Sequence, residues 1–428
     1  MKKQVEKVDI SKENSSTNQK NSIHFIQFTC IVLIVFITSG CSLFKKQVQT
    51  TSQSALVKID PDDYPNFSDD LFFDSLEQSI LQSIGYYNKM PSGKLFVFGN
   101  DSYTTNHMLK TLSNFMAFIQ QDPTRDDLNN YIRDNFVVYK SKGNKETGEV
   151  LFTGYYEPSL KGSLKQHGPY QYPVFAQPDD HVEINLRQFS DNTAFRRTIV
   201  GRHTDENTVV PYYTRSEIGN GDILKDKTKI LAYVDSAVDL FFLEIQGSGI
   251  IYLDNGSSIR VHYHTKNGHS YKSIGAYLIR NNSIPKEEMS MQKIREYLTN
   301  HPEEVTTIFN YNTSYVFFRL EEGGPYGCYS AEVTPERSIA TDKKRFPACG
   351  LAFIKTQKPL IDGDAEISSW VNFSRFVLNQ DTGGAIKGGG RADIFKGNGE
   401  YAEIAAGHMK HTGDLFFLVL KKEEEIEE

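Results

Sequence analysis

Two aspartates near the C-terminus, Asp381 and Asp393, stand twelve positions apart in the run Asn379-Gln380-Asp381-Thr382-Gly383-Gly384-Ala385-Ile386-Lys387-Gly388-Gly389-Gly390-Arg391-Ala392-Asp393-Ile394-Phe395-Lys396-Gly397, which also holds six glycines. Neighbouring carboxylates are suited to proton transfer, because a change of environment can hold one neutral and the other ionised. Glycine admits positive φ and lets the backbone come close to a ligand, so this density implies a tight loop system, not a helix or a plain strand. A flexible linker would share the composition. However, Phe376-Val377-Leu378 and Ile394-Phe395 are apolar and strand-like, which makes the glycine segment a connection inside a sheet, where loops carry function.

The elements that would hold such a loop follow from periodicity. Apolar positions Phe73, Leu76, Ile80 and Ile84 repeat at helical spacing, as do Met108, Leu112, Phe115, Met116 and Ile119, and a third helix is expected around Asp126 to Phe136. From Val150 onward the pattern becomes short apolar or aromatic runs bounded by Gly, Pro, Asn and Asp. Strands are expected at Val150 to Tyr155, Tyr172 to Phe175, Lys229 to Val234, Phe241 to Gln246 and Ile250 to Leu253, then a turn at Asp254-Asn255-Gly256 and a strand at Ser258 to His264. Helices return at Ile274 to Ile279, Met291 to Leu298 and Glu303 to Phe309, and strand pattern resumes at Tyr315 to Arg319. Many short strands at this spacing suggest a barrel.

A chain of 428 residues with 39% hydrophobic and 12% aromatic content can bury two ordinary cores. The formal net charge is -7 and no Lys/Arg cluster occurs, so nucleic acid is set aside as a partner. Ile23 to Thr38 is uncharged and apolar, follows a segment with five Lys against three acidic residues, and ends at Thr38-Ser39-Gly40-Cys41. That order resembles a bacterial lipoprotein signal, with Cys41 as the lipidated residue and Ser42 favouring the outer membrane; an uncleaved anchor helix is the alternative. Residues 42–67 read as a polar tether, and Glu423 to Glu428 as a solvated end. Cys328 and Cys349 are the cysteines outside the signal and could close a loop of about 20 residues. Neither they nor the eleven histidines show metal-ligand spacing.

The chain resembles the membrane-bound lytic murein transglycosylase A family. The resemblance rests on Gly154-Tyr155-Tyr156-Glu157-Pro158, Tyr172-Pro173-Val174-Phe175, Val210-Pro211-Tyr212 with Arg215, Glu244-Ile245-Gln246-Gly247-Ser248-Gly249, Asn267-Gly268 with Tyr271 to Gly275, Met289 to Gln292, and Tyr315 to Arg319. The C-terminal part resembles a module named for three aspartates, here Asp342, Asp381 and Asp393. The resemblance implies a mainly β fold with flanking helices: a double-psi β-barrel domain from 68–159 and 264–428, with the three-aspartate module at about 335–420, and a smaller inserted β-barrel domain at 160–263. A glycan groove would lie between them.

It also implies cleavage of the β-1,4 bond between N-acetylmuramic acid and N-acetylglucosamine without water, leaving a 1,6-anhydro product and needing no cofactor. The sugar's own C6 hydroxyl attacks, so one carboxyl can serve as acid and then base where ordinary glycosidases use two. By resemblance Asp393 takes that role, with Asp381 supporting it as a like charge; the reverse assignment stays open. Tyr156, Gln246, Gly247, Gly384, Lys387 and Arg391 are the expected substrate contacts, although an aromatic such as Tyr155, Tyr156, Tyr212 or Tyr326 could equally belong to a core. Expected partners are peptidoglycan strands, the membrane through Cys41, and enzymes of cell-wall synthesis or hydrolysis. A two-carboxylate glycoside hydrolase and a non-catalytic glycan-binding lipoprotein are the competing readings.

Overall fold

A computed structural model describes residues 55–189, 197–219 and 222–422; the signal segment, Cys41 and the acidic tail lie outside the described residues. The fold begins earlier than the polar composition before Ser68 implies. Strand β1 (Leu56–Lys58) pairs antiparallel with β4 (Phe136–Ser141), and Leu56 and Phe67 are core residues. Isolated apolar residues in a polar stretch carry no periodicity, which is why the sequence read this part as tether.

The three N-terminal helices form where the spacing predicts them: α1 (Leu76–Asn88), α2 (Thr105–Ile119) and α3 (Arg125–Asn135). Helix α2 buries Met108, Leu112, Phe115 and Ile119 along one stripe. At the start of α3, the Thr124 side chain accepts from Asp127 N–H, while the Asp127 carboxylate accepts from Thr124 N–H, a reciprocal cap that satisfies two orphan donors.

The main sheet is a closed ring. Six strands run in the order β19 (Lys410–Leu420), β16 (Leu351–Ile361), β17 (Ile367–Asp381), β15 (Ser338–Ala340), β18 (Arg391–Asn398) and β5 (Val150–Glu157), and β5 pairs back onto β19. Two neighbouring pairs, β15 with β17 and β18 with β5, are parallel. The ring is the barrel the sequence leads one to expect. Residues such as Phe353, Phe376, Leu378, Ile394 and Phe417, all essentially inaccessible, belong to one core that the ring shares with the N-terminal helices. Buried charges at its edge are paired. Arg337 donates to both oxygens of Asp69 in a fully buried pair, and Arg375 of β17 binds Asp70 and Glu336, so the segment leading into α1 is tied to the barrel by ion pairs.

A second, six-stranded sheet runs β14 (Val316–Leu320), β13 (Ser258–Lys266), β12 (Ser248–Leu253), β6 (Ser159–Ser163), β11 (Ile230–Val234) and β7 (Tyr172–Phe175). A bridge between Ala176 and Phe318 joins its two edges. Its last strand comes from beyond the 160–263 block, after helices that include Ile274–Arg280, Met291–Asn300 and Val305–Tyr311.

One expected strand is a helix. Phe241 to Gln246 lies in α5 (Ala237–Gln246), which starts with the Ser236 side chain accepting from Asp239 N–H and ends at Gly247 with φ 85°. Those two caps were the readable signal, outvoted by the β-propensity of the aromatic run.

Candidate active site

The two aspartates share one row of the barrel. Ala340 of β15 pairs with Asp381 on one side and Asp393 on the other, and Asp393 in turn pairs with Thr153 of β5. With one strand between them, the two aspartate Cα atoms are about 10 Å apart, the spacing of two strand intervals. Residues in cross-strand register share a face, so the row Asp381, Ala340, Asp393, Thr153 presents hydroxyl and carboxylates together.

Strand β5 divides its side chains by alternation. Thr153, Tyr155 and Glu157 point to the catalytic row and its flank, while Gly154 and Tyr156 point to the helix α9 (Glu400–His408). The Thr153 hydroxyl donates to Asp393 Oδ1, and Glu157 pairs with Arg260 at 3.1 Å. Gly154 has a packing reason: a Cβ there would stand 2.7 Å from the Ala406 backbone.

Asp393 is held by its neighbour Arg391, whose Nε donates to Oδ1 at 3.0 Å and whose Nη2 donates to Oδ2 at 3.2 Å. Arg391 also reaches the Thr153 hydroxyl at 3.2 Å. Arg391, an expected substrate contact, is thus paired with the expected catalytic acid in the free protein.

Asp381 sits in a different environment. Its Oδ1 accepts the Cys328 N–H at 2.9 Å and the Thr382 N–H at 2.8 Å. Burial raises its pKa, the two N–H donors and Tyr155 draw it back, and the charge of Asp393 adds to the rise, leaving it at about 6. Behind it, Asn379 and Gln380 are completely buried polar residues: Asn379 binds Pro347 and Thr341, and Gln380 binds Ser79, Ser83 and Ser338. They fix the end of β17 and so the position of Asp381.

The third aspartate is structural. Asp342 accepts from Lys344 N–H at 3.0 Å and Gly388 N–H at 2.8 Å, pinning the glycine loop where Gly388 takes φ 80°.

The expected substrate contacts divide. Gly384 and Lys387 are exposed on the glycine loop, and Lys387 makes no hydrogen bond or ion pair among the described residues. Gln246 turns inward: its Oε1 accepts the Tyr156 N–H at 3.2 Å. Gly247 is required by its positive φ at the α5 terminus, since a Cβ would have room. Tyr156 is a correction. Only 2% exposed, it packs on Ala402, Ala406 and Met291 and offers no ring face to a sugar. The tyrosine presented to the row is Tyr155. Tyr271, whose ring is partly exposed, lies within electrostatic reach of Arg391: burial around its hydroxyl raises its pKa, and Ser273, then the charges of Arg391 and Arg215, lower it. Sequence reading missed Thr153, whose alternation with Tyr155 and Glu157 was the available signal, and the Cys328 N–H, for which none existed. Cys328 and Cys349 are free thiols, the first exposed and the second buried, so the loop closure considered from sequence is absent.

Comparison with known proteins places these features in context. Residues 151–319 match the family described as the MltA specific insert domain, and 337–419 match the 3D domain. Membrane-bound lytic murein transglycosylase A of Escherichia coli (strain K12) is 32% identical over 284 residues, which cover 66% of this chain and 68% of that protein. A homolog from Buchnera aphidicola is 29% identical over 339 residues, 78% of this chain and 84% of its own. Among solved structures, the membrane-bound lytic murein transglycosylase from Agrobacterium tumefaciens superposes with a TM-score of 0.69 at 25% identity, covering 86% of this chain and 98% of that one. MltA from Neisseria gonorrhoeae gives 0.63 at 28% identity, covering 85% and 92%.

Proposed function

Because the chain belongs to the membrane-bound lytic murein transglycosylase A family, we propose that Asp393 carries its reaction, with Asp381 as the ionised companion. The protein is a lyase acting on peptidoglycan. It cleaves the β-1,4 bond between N-acetylmuramic acid and N-acetylglucosamine and leaves a 1,6-anhydromuramoyl end, in cell-wall turnover.

The observation that carries the assignment is the row Asp381, Ala340, Asp393, Thr153. Asp381 has one oxygen committed to two backbone donors, the arrangement of a structural anion, whereas Asp393 is held only by side chains that can move. Glycan entering the row displaces Arg391 from Asp393 and excludes water, leaving its carboxyl free to donate to the leaving oxygen. The C1–O bond breaks, the C6 hydroxyl attacks C1, and its proton passes to Asp393. Lys387 and Gly384, exposed beside the row, and the freed Arg391 are the polar contacts for the strand. Gln246, Gly247 and Tyr156 shape the wall from behind. The reverse assignment draws support from the pKa of about 6 at Asp381, suited to a general acid.

We take the inserted domain to span 159–320, the extent of the second sheet. The enzyme is membrane-associated, and we read Cys41 as its lipid attachment and the periplasmic face of the outer membrane as its location. Mass spectrometry of muropeptides released from purified sacculi tests the function: 1,6-anhydro ends are expected, reducing ends would point to a hydrolase, and no release to a binding protein.

A further inference from the structure

The site contains a buried hydroxyl whose hydrogen bonding is incomplete in the free protein. The Tyr155 hydroxyl makes no hydrogen bond of good geometry, although it stands close enough to Asp381 to draw that carboxylate's pKa down. Buried hydroxyls without partners are rare because each forfeits its hydration, and folds keep them where another state completes the bond. The ring is fixed: Tyr155 pairs in register with Phe395, their ring centroids 5.1 Å apart, so the hydroxyl is aimed and not free to swing away. Its pKa stands well above the ordinary value through burial, then through the charge of Asp381 and the approach of its hydroxyl to that carboxylate, then through the charge of Asp393. Asp381, for its part, has Oδ1 filled by two N–H groups and its other oxygen open.

We propose that Tyr155 is a positioning residue of the acid-base pair: with glycan bound, its hydroxyl donates to the open oxygen of Asp381 and holds that carboxylate ionised while Asp393 cycles its proton. Tyr155 keeps its own proton throughout. The proton given to the leaving oxygen comes from Asp393, and the proton of the C6 hydroxyl returns to it. The other groups facing Asp381 are Asp393 with its partner Arg391 from β18, and the Cys328 thiol, itself near Lys343. Tyr271 lies within electrostatic reach of Arg391. Among these, Tyr155 is the neutral hydroxyl beside the open oxygen, so tightening its approach completes the bond without adding charge. The proposal rests on the lytic reading above.

Steady-state kinetics on soluble glycan strands across pH separates the outcomes. Three proteins are compared: wild type, Tyr155→Phe, and a protein with 3,5-difluorotyrosine at position 155. Tyr155→Phe keeps the ring against Phe395 and removes only the donor. Its kcat is expected to fall about tenfold with KM changed less than about twofold, and the acid limb of its kcat profile to move to higher pH, because ionised Asp381 loses a donor. Difluorotyrosine is a stronger donor and should move that limb to lower pH. An unchanged kcat and limb in Tyr155→Phe, or a loss confined to KM as for a ring stacked on sugar, overturns the proposal. Should the Phe variant not fold, the difluorotyrosine protein decides alone, an unmoved limb overturning the idea. Wild-type release of reducing ends would refute the lytic reading instead, independently of where the limbs fall.

Discussion

Thr153 and Asp393 face each other in register across the parallel strands β5 and β18, and the threonine hydroxyl donates to the aspartate. The hydrogen bond orients one carboxylate oxygen toward β5 and, with Arg391 on the same oxygen, leaves Oδ2 bound by Arg391 alone. Displacing one side chain therefore exposes a whole oxygen for proton transfer.

Asp393→Asn keeps the shape and the contact with Thr153 but cannot cycle a proton. Turnover on sacculi should fall by about 10²-fold to 10⁴-fold, the range for loss of a general acid-base group, while glycan co-sedimentation persists. Near-normal release of anhydromuropeptides by this variant, with Asp381→Asn inactive, would reverse the assignment.

Asp381→Asn should retain more activity than Asp393→Asn, since it removes the companion charge and not the group that cycles the proton. The same variant should be more stable. The pKa of Asp381 in the fold, about 6, exceeds the 3.8 of a free Asp, so the cost of the buried charge is fully present above pH 6 and gone below pH 3.8. Asn removes that cost, by at most about 3 kcal/mol. Thermal melts should show the gain at pH 7 to 8 and its fading toward pH 4; a gain independent of pH would contradict the ionisation argument.

Gly154→Ala places a methyl against the Ala406 backbone, which cannot yield as a flexible side chain would. About 1–3 kcal/mol of stability should be lost to overpacking, measured by urea unfolding. Activity should drop as well, because Thr153 and Tyr155 flank the displaced residue.

Arg215 and Glu244 form a buried bidentate pair at 3.0 and 2.5 Å, with Asn312, Ser314 and Val316 completing their hydrogen bonds. Arg215→Met should cost about 3–5 kcal/mol by stranding the carboxylate, and adding Glu244→Gln should restore much of it. A double-mutant cycle without coupling would show the pair to be dispensable.

Cells expressing the full chain should incorporate an alkyne fatty acid into the wild type and not into Cys41→Ala. Equal labelling of both would remove Cys41 as the anchor.

Much of this was legible in sequence where periodicity ran long. The stripe from Met108 to Ile119 and the alternation at Val150 to Tyr155 each became the expected element. Short runs failed where end signals competed with composition, as at Phe241 to Gln246, whose caps decide for a helix. Asp381 and Asp393 could be found from the glycines around them. Cys328, 53 residues from Asp381, could not, because a backbone N–H carries no residue identity and its placement depends on the closed barrel. Tyr156 was misread for a related reason: burial separates it from adjacent Tyr155, and their identical side chains conceal which face each occupies.

The ring that closes β5 onto β18 and β19 joins residues 240 positions apart at Thr153 and Asp393. Such a site has no local precursor. During synthesis every chain that ends before β18 carries β5 without either of its barrel neighbours and lacks Asp393, so the row is completed only with the final strands. Contacts this remote also make barrel closure a slow step, one that exposes hydrophobic strand edges until it is done. A wall-degrading enzyme assembled this way is harmless until it is finished, and it depends on being kept from aggregating while it waits.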